Sequence, residues 1–122
     1  MKRLQFIQVL AVALGMAASS ASLAQGYPNK PIRLIVPFPA AGATDLFART
    51  LGQKMGDKLG TTLVVDNKPG AGGAIGSDQA AKAAPDGYTI LLATTSTHSI
   101  GPAISKLPYD TVRDFTPIAH VG

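Results

Sequence analysis

The residues best placed to do chemistry in this chain fall in three short segments, and two of those are chemically bland. Residues 37–45 read Pro37-Phe38-Pro39-Ala40-Ala41-Gly42-Ala43-Thr44-Asp45, and residues 67–73 read Asn67-Lys68-Pro69-Gly70-Ala71-Gly72-Gly73. Small residues leave backbone N–H groups uncovered. Where such a loop opens a helix, those donors and the positive end of the helix dipole together favour an anion. The third segment, Thr94-Thr95-Ser96-Thr97-His98-Ser99, adds hydroxyl donors. If all three meet, they make a pocket for an anionic or polar group with few charged side chains. Each also has a plain structural reading: Gly serves any tight strand-to-helix turn, and a run of hydroxyls serves a solvated loop.

Single side chains add less. Asp45 stands at a helix start, where its charge complements the dipole; its functional reading is a carboxylate that holds a water or a ligand donor. His98 has no ligand-type partner at i+2 or i+4, so it reads as a loop histidine touching solvent or the ligand edge, not as a metal site. His120, in an apolar run, reads as a packed or domain-crossing residue. With no Cys there is no disulfide, thiolate zinc site or Cys nucleophile. Gly70, Gly72, Gly73 and Gly76 resemble a dinucleotide fingerprint, but its third glycine would fall at Ile75. A phosphate-binding Gly-Lys-Ser/Thr loop and a Gly-x-Ser-x-Gly elbow are both missing. No catalytic residue, metal or cofactor is therefore expected.

The elements that must position these segments alternate. Ile32-Arg33-Leu34-Ile35-Val36 is β-branched and nearly continuous in apolar character, as a strand buried on both faces should be. Pro37 ends it. Thr44 and Asp45 open a helix running to about Leu59, with Phe47, Leu51 and Met55 expected on its buried stripe, flanked by Ala48 and Leu59, and Gly60 as its stop. Residues 62–66 form a second strand, residues 74–83 an Ala-rich helix, Pro85-Asp86-Gly87 a turn and residues 88–93 a third strand. Residues 94–99 are expected as a loop, residues 100–104 as a short helical turn, and residues 118–121 as the start of a strand. Strands separated by helices of this length imply parallel βαβ units and an α/β layered domain. In an open parallel sheet, ligands bind where the strands' carboxyl ends meet the loops.

Composition sets the outer bounds. At 122 residues and 46% hydrophobic content, one globular core is the ceiling. All seven acidic residues are Asp, set against eleven Lys plus Arg, a formal net charge of +4. The cations are scattered, which argues against a nucleic-acid stripe or a membrane-surface patch. Met1-Lys2-Arg3, a mostly apolar stretch over residues 4–18 and Ser22-Leu23-Ala24 form a secretory signal, with cleavage expected before Gln25. The apolar stretch falls short of the ~20 residues that span a bilayer. The expected plan is thus a signal peptide over residues 1–24 and a lobe over residues 25–122. Because the chain stops where a strand would begin, it reads as an N-terminal fragment.

Five blocks in order carry a family resemblance: residues 27–38 (YPNKPIRLIVPF), 42–45 (GATD), 66–73 (DNKPGAGG), 84–89 (APDGYT), and 107–110 (LPYD) with Asp114-Phe115. Over essentially all of the mature chain, the sequence resembles the receptors of tripartite tricarboxylate transporters, the Bug-type extracytoplasmic solute receptors. The resemblance implies one lobe of a type II periplasmic-binding-protein clamshell, with the second lobe absent. It implies a ligand carboxylate held by the loop after the first strand, at Phe38, Ala40, Ala41, Gly42 and Asp45, and hydroxyl contacts near Thr95 and Ser96. Ligands in such receptors include citrate, C4-dicarboxylates, acidic amino acids and aromatic carboxylates. The implied partners are a small organic carboxylate and the transporter's membrane permease subunits, with no nucleic acid, and the implied state is a periplasmic monomer. The sequence departs from the pattern at Ala41, where a second Gly is common, and at Asp66, where Glu is usual. Two other readings stand beside the receptor: an exported α/β enzyme using Asp45 or His98 as base, and a nonfunctional truncated product.

Overall fold

Apolar, β-branched residues crowd the stretch after Pro31, and in the computed structural model, which describes residues 26–121, they form strand β1 (Ile32–Val36). The signal peptide expected over residues 1–24 lies outside the described residues. β1 is the middle strand of a three-stranded sheet of order β2-β1-β3, beside β2 (Leu63–Asn67) and β3 (Thr89–Leu91). Both pairings are parallel. Ile32 stands opposite Leu63 and Val36 opposite Asn67, while Arg33 faces Thr89 and Ile35 faces Leu91. A central strand is covered on both faces, which is why its sequence is apolar almost throughout. Ile32, Leu34, Ile35 and Val36 are all buried, and Leu34 and Val36 share a core with Ala48 and Leu92.

Helix α1 (Ala43–Leu59) stops at Gly60, whose φ of 67° turns the chain so that the Thr61 N–H reaches back to the Gly56 carbonyl at 3.2 Å. Its buried face differs from the expected stripe. Phe47 and Leu59 are exposed, Leu51 and Met55 are half-buried, and the residues facing the sheet are Asp45, Ala48, Gly52 and Gly56. The cause is close approach. A Cβ on Gly56 would lie 2.6 Å from the Thr61 carbonyl oxygen, and one on Gly52 would touch Leu63, Leu34 and Val65. Large apolar side chains on that face would hold the helix off the sheet.

After a 3₁₀ turn over Ala71–Gly73 comes helix α2 (Ala74–Ala81), which packs on β1 and β3. The segment after β3 is another correction. Residues 96–100 are not a loop but a π-type helical turn (Ser96–Ile100) that runs straight into a short helix, α3 (Gly101–Ile104). Hydroxyls that bond their own backbone can support a helical turn as readily as a loop. Residues 118–121 form no strand among the described residues, and Ile118 and His120 are exposed, not packed.

At the amino edge of the sheet, the two ends of the βαβ run are tied together. The Tyr27 hydroxyl donates to the Gly87 carbonyl at 2.7 Å, the Asn29 N–H donates to the Tyr88 hydroxyl at 2.9 Å, and Lys30 pairs with Asp86 at 3.2 Å. That edge is occupied by structure, and the opposite edge carries the candidate site. Among the described residues, no helix is long and apolar enough to cross a membrane, and no cluster of three metal-ligating side chains occurs.

Candidate functional site

Because the strands run parallel, their carboxyl ends lie at one edge, and the segments after Val36, Asn67 and Leu91 all leave from it. They also touch. Gly73 is buried with φ 95°, and a Cβ there would lie 2.5 Å from Thr97 Cγ2, 3.4 Å from Pro37 Cβ and 3.5 Å from Phe38 Cζ. One glycine thus stands where the first, second and third segments meet. Three residues on, a Cβ at Gly76 would lie 2.7 Å from the Lys68 carbonyl oxygen and 2.9 Å from Pro37 Cα. Gly73 and Gly76 let the second segment and the start of α2 close on Pro37, Phe38 and Thr97, which no larger side chain permits.

The first segment is shaped by Asp45, a buried carboxylate. Its Oδ2 accepts the Ala41 N–H at 2.9 Å and Arg49 Nε at 3.0 Å, and its Oδ1 accepts Asn67 Nδ2 at 3.0 Å. The same Asn67 amide group donates to the Phe38 carbonyl at 3.1 Å. The Arg49 bond, followed by the Ala41 N–H, holds the Asp45 carboxyl at about 2, below its ordinary 3.8, with burial opposing and Asn67 assisting. Asp45 is therefore ionised at any neutral pH and already engaged by three protein donors.

This fixes what each residue of the segment offers. Ala40, Ala41 and Gly42 are exposed and Phe38 is half-buried. The Ala41 N–H is taken by Asp45, so Ala41 presents its methyl and carbonyl instead. Gly42, in extended backbone at φ −84°, is the N-cap of α1 and has no side chain to cap the first turn. The amides that open α1 are left to other partners, as a site for an anion requires.

In the third segment, Thr95 and Ser96 are exposed, and Ser96 Oγ lies 2.8 Å from Thr94 Oγ1. Thr97 is instead buried, its hydroxyl 3.0 Å from the Thr94 carbonyl and 2.9 Å from His98 Nδ1. His98 is half-buried, its ring 4.7 Å from that of Phe115. Burial pushes its pKa below the ordinary 6.5, which keeps the ring neutral near pH 7. A separate groove of about 710 Å³ runs along α1 and β2 past Gly52, Gly56 and Thr61, and of the site residues named above it touches only Arg49.

The structure thus brings Phe38, Ala40, Ala41, Gly42 and Asp45 into one segment, and Thr95 and Ser96 onto a neighbouring turn at the same edge. Sequence reasoning missed Arg49, Asn67, Gly73 as the meeting point, and Tyr109. Asn67 could have been found, since a polar amide ending a strand at the carboxyl edge is placed to bond a loop. Tyr109, whose hydroxyl donates to the Thr97 carbonyl at 2.9 Å, had no local signal.

A family profile described as the tripartite tricarboxylate transporter family receptor matches residues 47–122, more than half of the chain. Protein BugT of Bordetella pertussis is 40% identical over 125 residues, an alignment taking in 100% of this chain and 38% of that protein. MatC from Rhodopseudomonas palustris, solved with bound malate, superposes with a TM-score of 0.71 at 37% identity, covering 75% of this chain and 31% of MatC. A solved periplasmic transporter superposes with a TM-score of 0.69 at 53% identity, covering 71% of this chain and 30% of that one. The chain therefore spans well under half the length of the relatives it matches.

Proposed function

This chain belongs to the tripartite tricarboxylate transporter receptor family, and on that premise we propose that it holds one end of a small organic carboxylate at the carboxyl edge of its sheet. The observation that carries the reading is the meeting of the two small-residue segments and the hydroxyl-rich one around Gly73. In this proposal, the open amides at the start of α1 and the backbone of Phe38, Ala40 and Gly42 take the carboxylate, and the exposed hydroxyls of Thr95 and Ser96 take a second polar group. Asp45 acts one layer behind. Engaged by Arg49 and Ala41, it shapes the loop, and its second oxygen keeps a lone pair for a bridging water. The malate in MatC is a ligand of the proposed class.

The proposed setting is the periplasm, reached by removal of residues 1–24, with the ligand passed as a monomeric receptor to a membrane permease. A carboxylate held near 2 suits an anchor better than a proton-transfer base, which works best with a pKa near the operating pH.

The test is a thermal-shift series on the longest product of the gene, with malate, citrate, a longer dicarboxylate and an aromatic acid. A ligand at about 100 times its dissociation constant adds about 2.7 kcal/mol of stability, which is a readily measured upward shift. A flat response to all four acids sinks the receptor reading.

A further inference from the structure

In the π-type turn that carries Ser96, the Thr97 carbonyl meets a position that has no N–H. Gly101 N–H bonds the Ser96 carbonyl. The next acceptor, Thr97 O, would in the same i to i+5 pattern need the N–H of residue 102. Residue 102 is Pro, which has none. A buried carbonyl left unpaired is costly. The partner comes from outside the helix: the Tyr109 hydroxyl donates to Thr97 O at 2.9 Å in a buried bond.

Tyr109 is well seated for this. It is 8% exposed, with its ring 5.7 Å from Phe115 and 6.0 Å from His98. Thr97 in turn packs its Cγ2 against Gly73 and bonds Thr94 and His98 through its hydroxyl. We infer that Tyr109 is a positioning residue: by supplying the donor Pro102 lacks, it locks the turn that carries Thr95 and Ser96 and thereby sets the geometry of the hydroxyl side of the site. Its effect on ligand rests on the receptor reading; its effect on the turn does not.

Two readouts separate these. On the longest product of the gene, Tyr109→Phe keeps the ring packing and removes only the hydroxyl. Amide hydrogen exchange without ligand is expected to rise about tenfold over residues 95–101 and to stay unchanged in α1 and α2. Affinity for whichever acid shifts the wild type is expected to weaken about 5- to 10-fold, the effect of one lost hydrogen bond. Adding Pro102→Ala to Tyr109→Phe restores an N–H at the needed position, and both effects are expected to recede. Tyr27→Phe is the contrast: it removes the hydroxyl that donates to the Gly87 carbonyl at the opposite edge of the sheet, and it is expected to leave affinity and the exchange of residues 95–101 within about twofold. Unchanged exchange in Tyr109→Phe, or no rescue by Pro102→Ala, overturns the lock. A wild type that binds no acid but shows the exchange pattern overturns the receptor reading and leaves the lock standing.

Discussion

The Asp45 carboxylate accepts the N–H of Ala41 at 2.9 Å, and Ala41 sits at φ 65°, in the left-handed region that favours glycine. The two facts belong together. A non-glycine residue in that region costs about 1–2 kcal/mol, and the buried carboxylate, itself fixed by Arg49 and Asn67, supplies the bond that keeps it there. Ala41 is thus strained in this chain and held by a neighbour four residues on.

Ala41→Gly is expected to stabilise the chain by up to about 1 kcal/mol, since relief of the left-handed strain outweighs the added freedom of the unfolded chain. Asp45→Asn is expected to destabilise it, because an amide cannot accept from all three donors. Urea melts of both variants check this, and a lower midpoint for Ala41→Gly would mean that the alanine carries no strain.

Acid should act in two windows. Asp45 is lowered in the fold, so its contribution is complete above its ordinary 3.8 and is lost as pH falls towards about 2. His98 is lowered by burial, so stability is complete above 6.5 and declines as pH drops below it, where the unfolded chain takes up a proton that the fold resists. The neighbours found against the ring are Thr97, Tyr109 and Phe115. Melting from pH 8 to pH 2 in wild type and His98→Asn is the measurement: the mildly acidic decline should vanish in the variant and the strongly acidic one persist.

The two helix glycines should behave oppositely. Gly52→Ala meets ordinary contacts at 3.5 Å and gains about 1 kcal/mol of helix propensity, so it is expected to be neutral or stabilising. Gly56→Ala puts a methyl 2.6 Å from the Thr61 carbonyl oxygen, and overpacking of about 1–3 kcal/mol should exceed that gain. Equal midpoints for the two variants would contradict the close approach of Gly56 to the turn that leads from α1 into β2.

Gly73→Ala tests the convergence itself. Its Cβ would collide with Thr97 at 2.5 Å at a φ of 95°, so the three segments must part. A loss of about 2–4 kcal/mol is expected from clash and strain combined, together with loss of any carboxylate-induced thermal shift. Gly72→Ala, at φ 65° with open space around its Cβ, is the control and should show the strain alone, about 1 kcal/mol.

Much of the frame was legible in local pattern. The apolar run of residues 32–36, the Pro and Gly that bound each element, and the strand–helix spacing led to the parallel α/β layer, and so to three segments on one edge. These signals are short-range: chain stiffness at Pro, freedom at Gly and side-chain periodicity act within a few residues. The buried face of α1 was misread because periodicity registers large apolar residues, whereas here the contact is made by their absence at Gly52 and Gly56. The turn at residues 96–100 was misread because its hydroxyls bond their own backbone, which composition cannot distinguish from a solvated loop.

What the sequence determined by itself was the order of elements and the edge on which chemistry could gather. What only the tertiary structure decided was which groups meet there: Asn67 on Asp45, 22 residues away, Tyr109 on Thr97, 12 residues away, and Tyr27 on Gly87, 60 residues away. The reason is physical. A hydrogen bond requires donor and acceptor within about 3 Å of each other, and for residues so far apart along the chain that distance exists only once the sheet has brought the segments together.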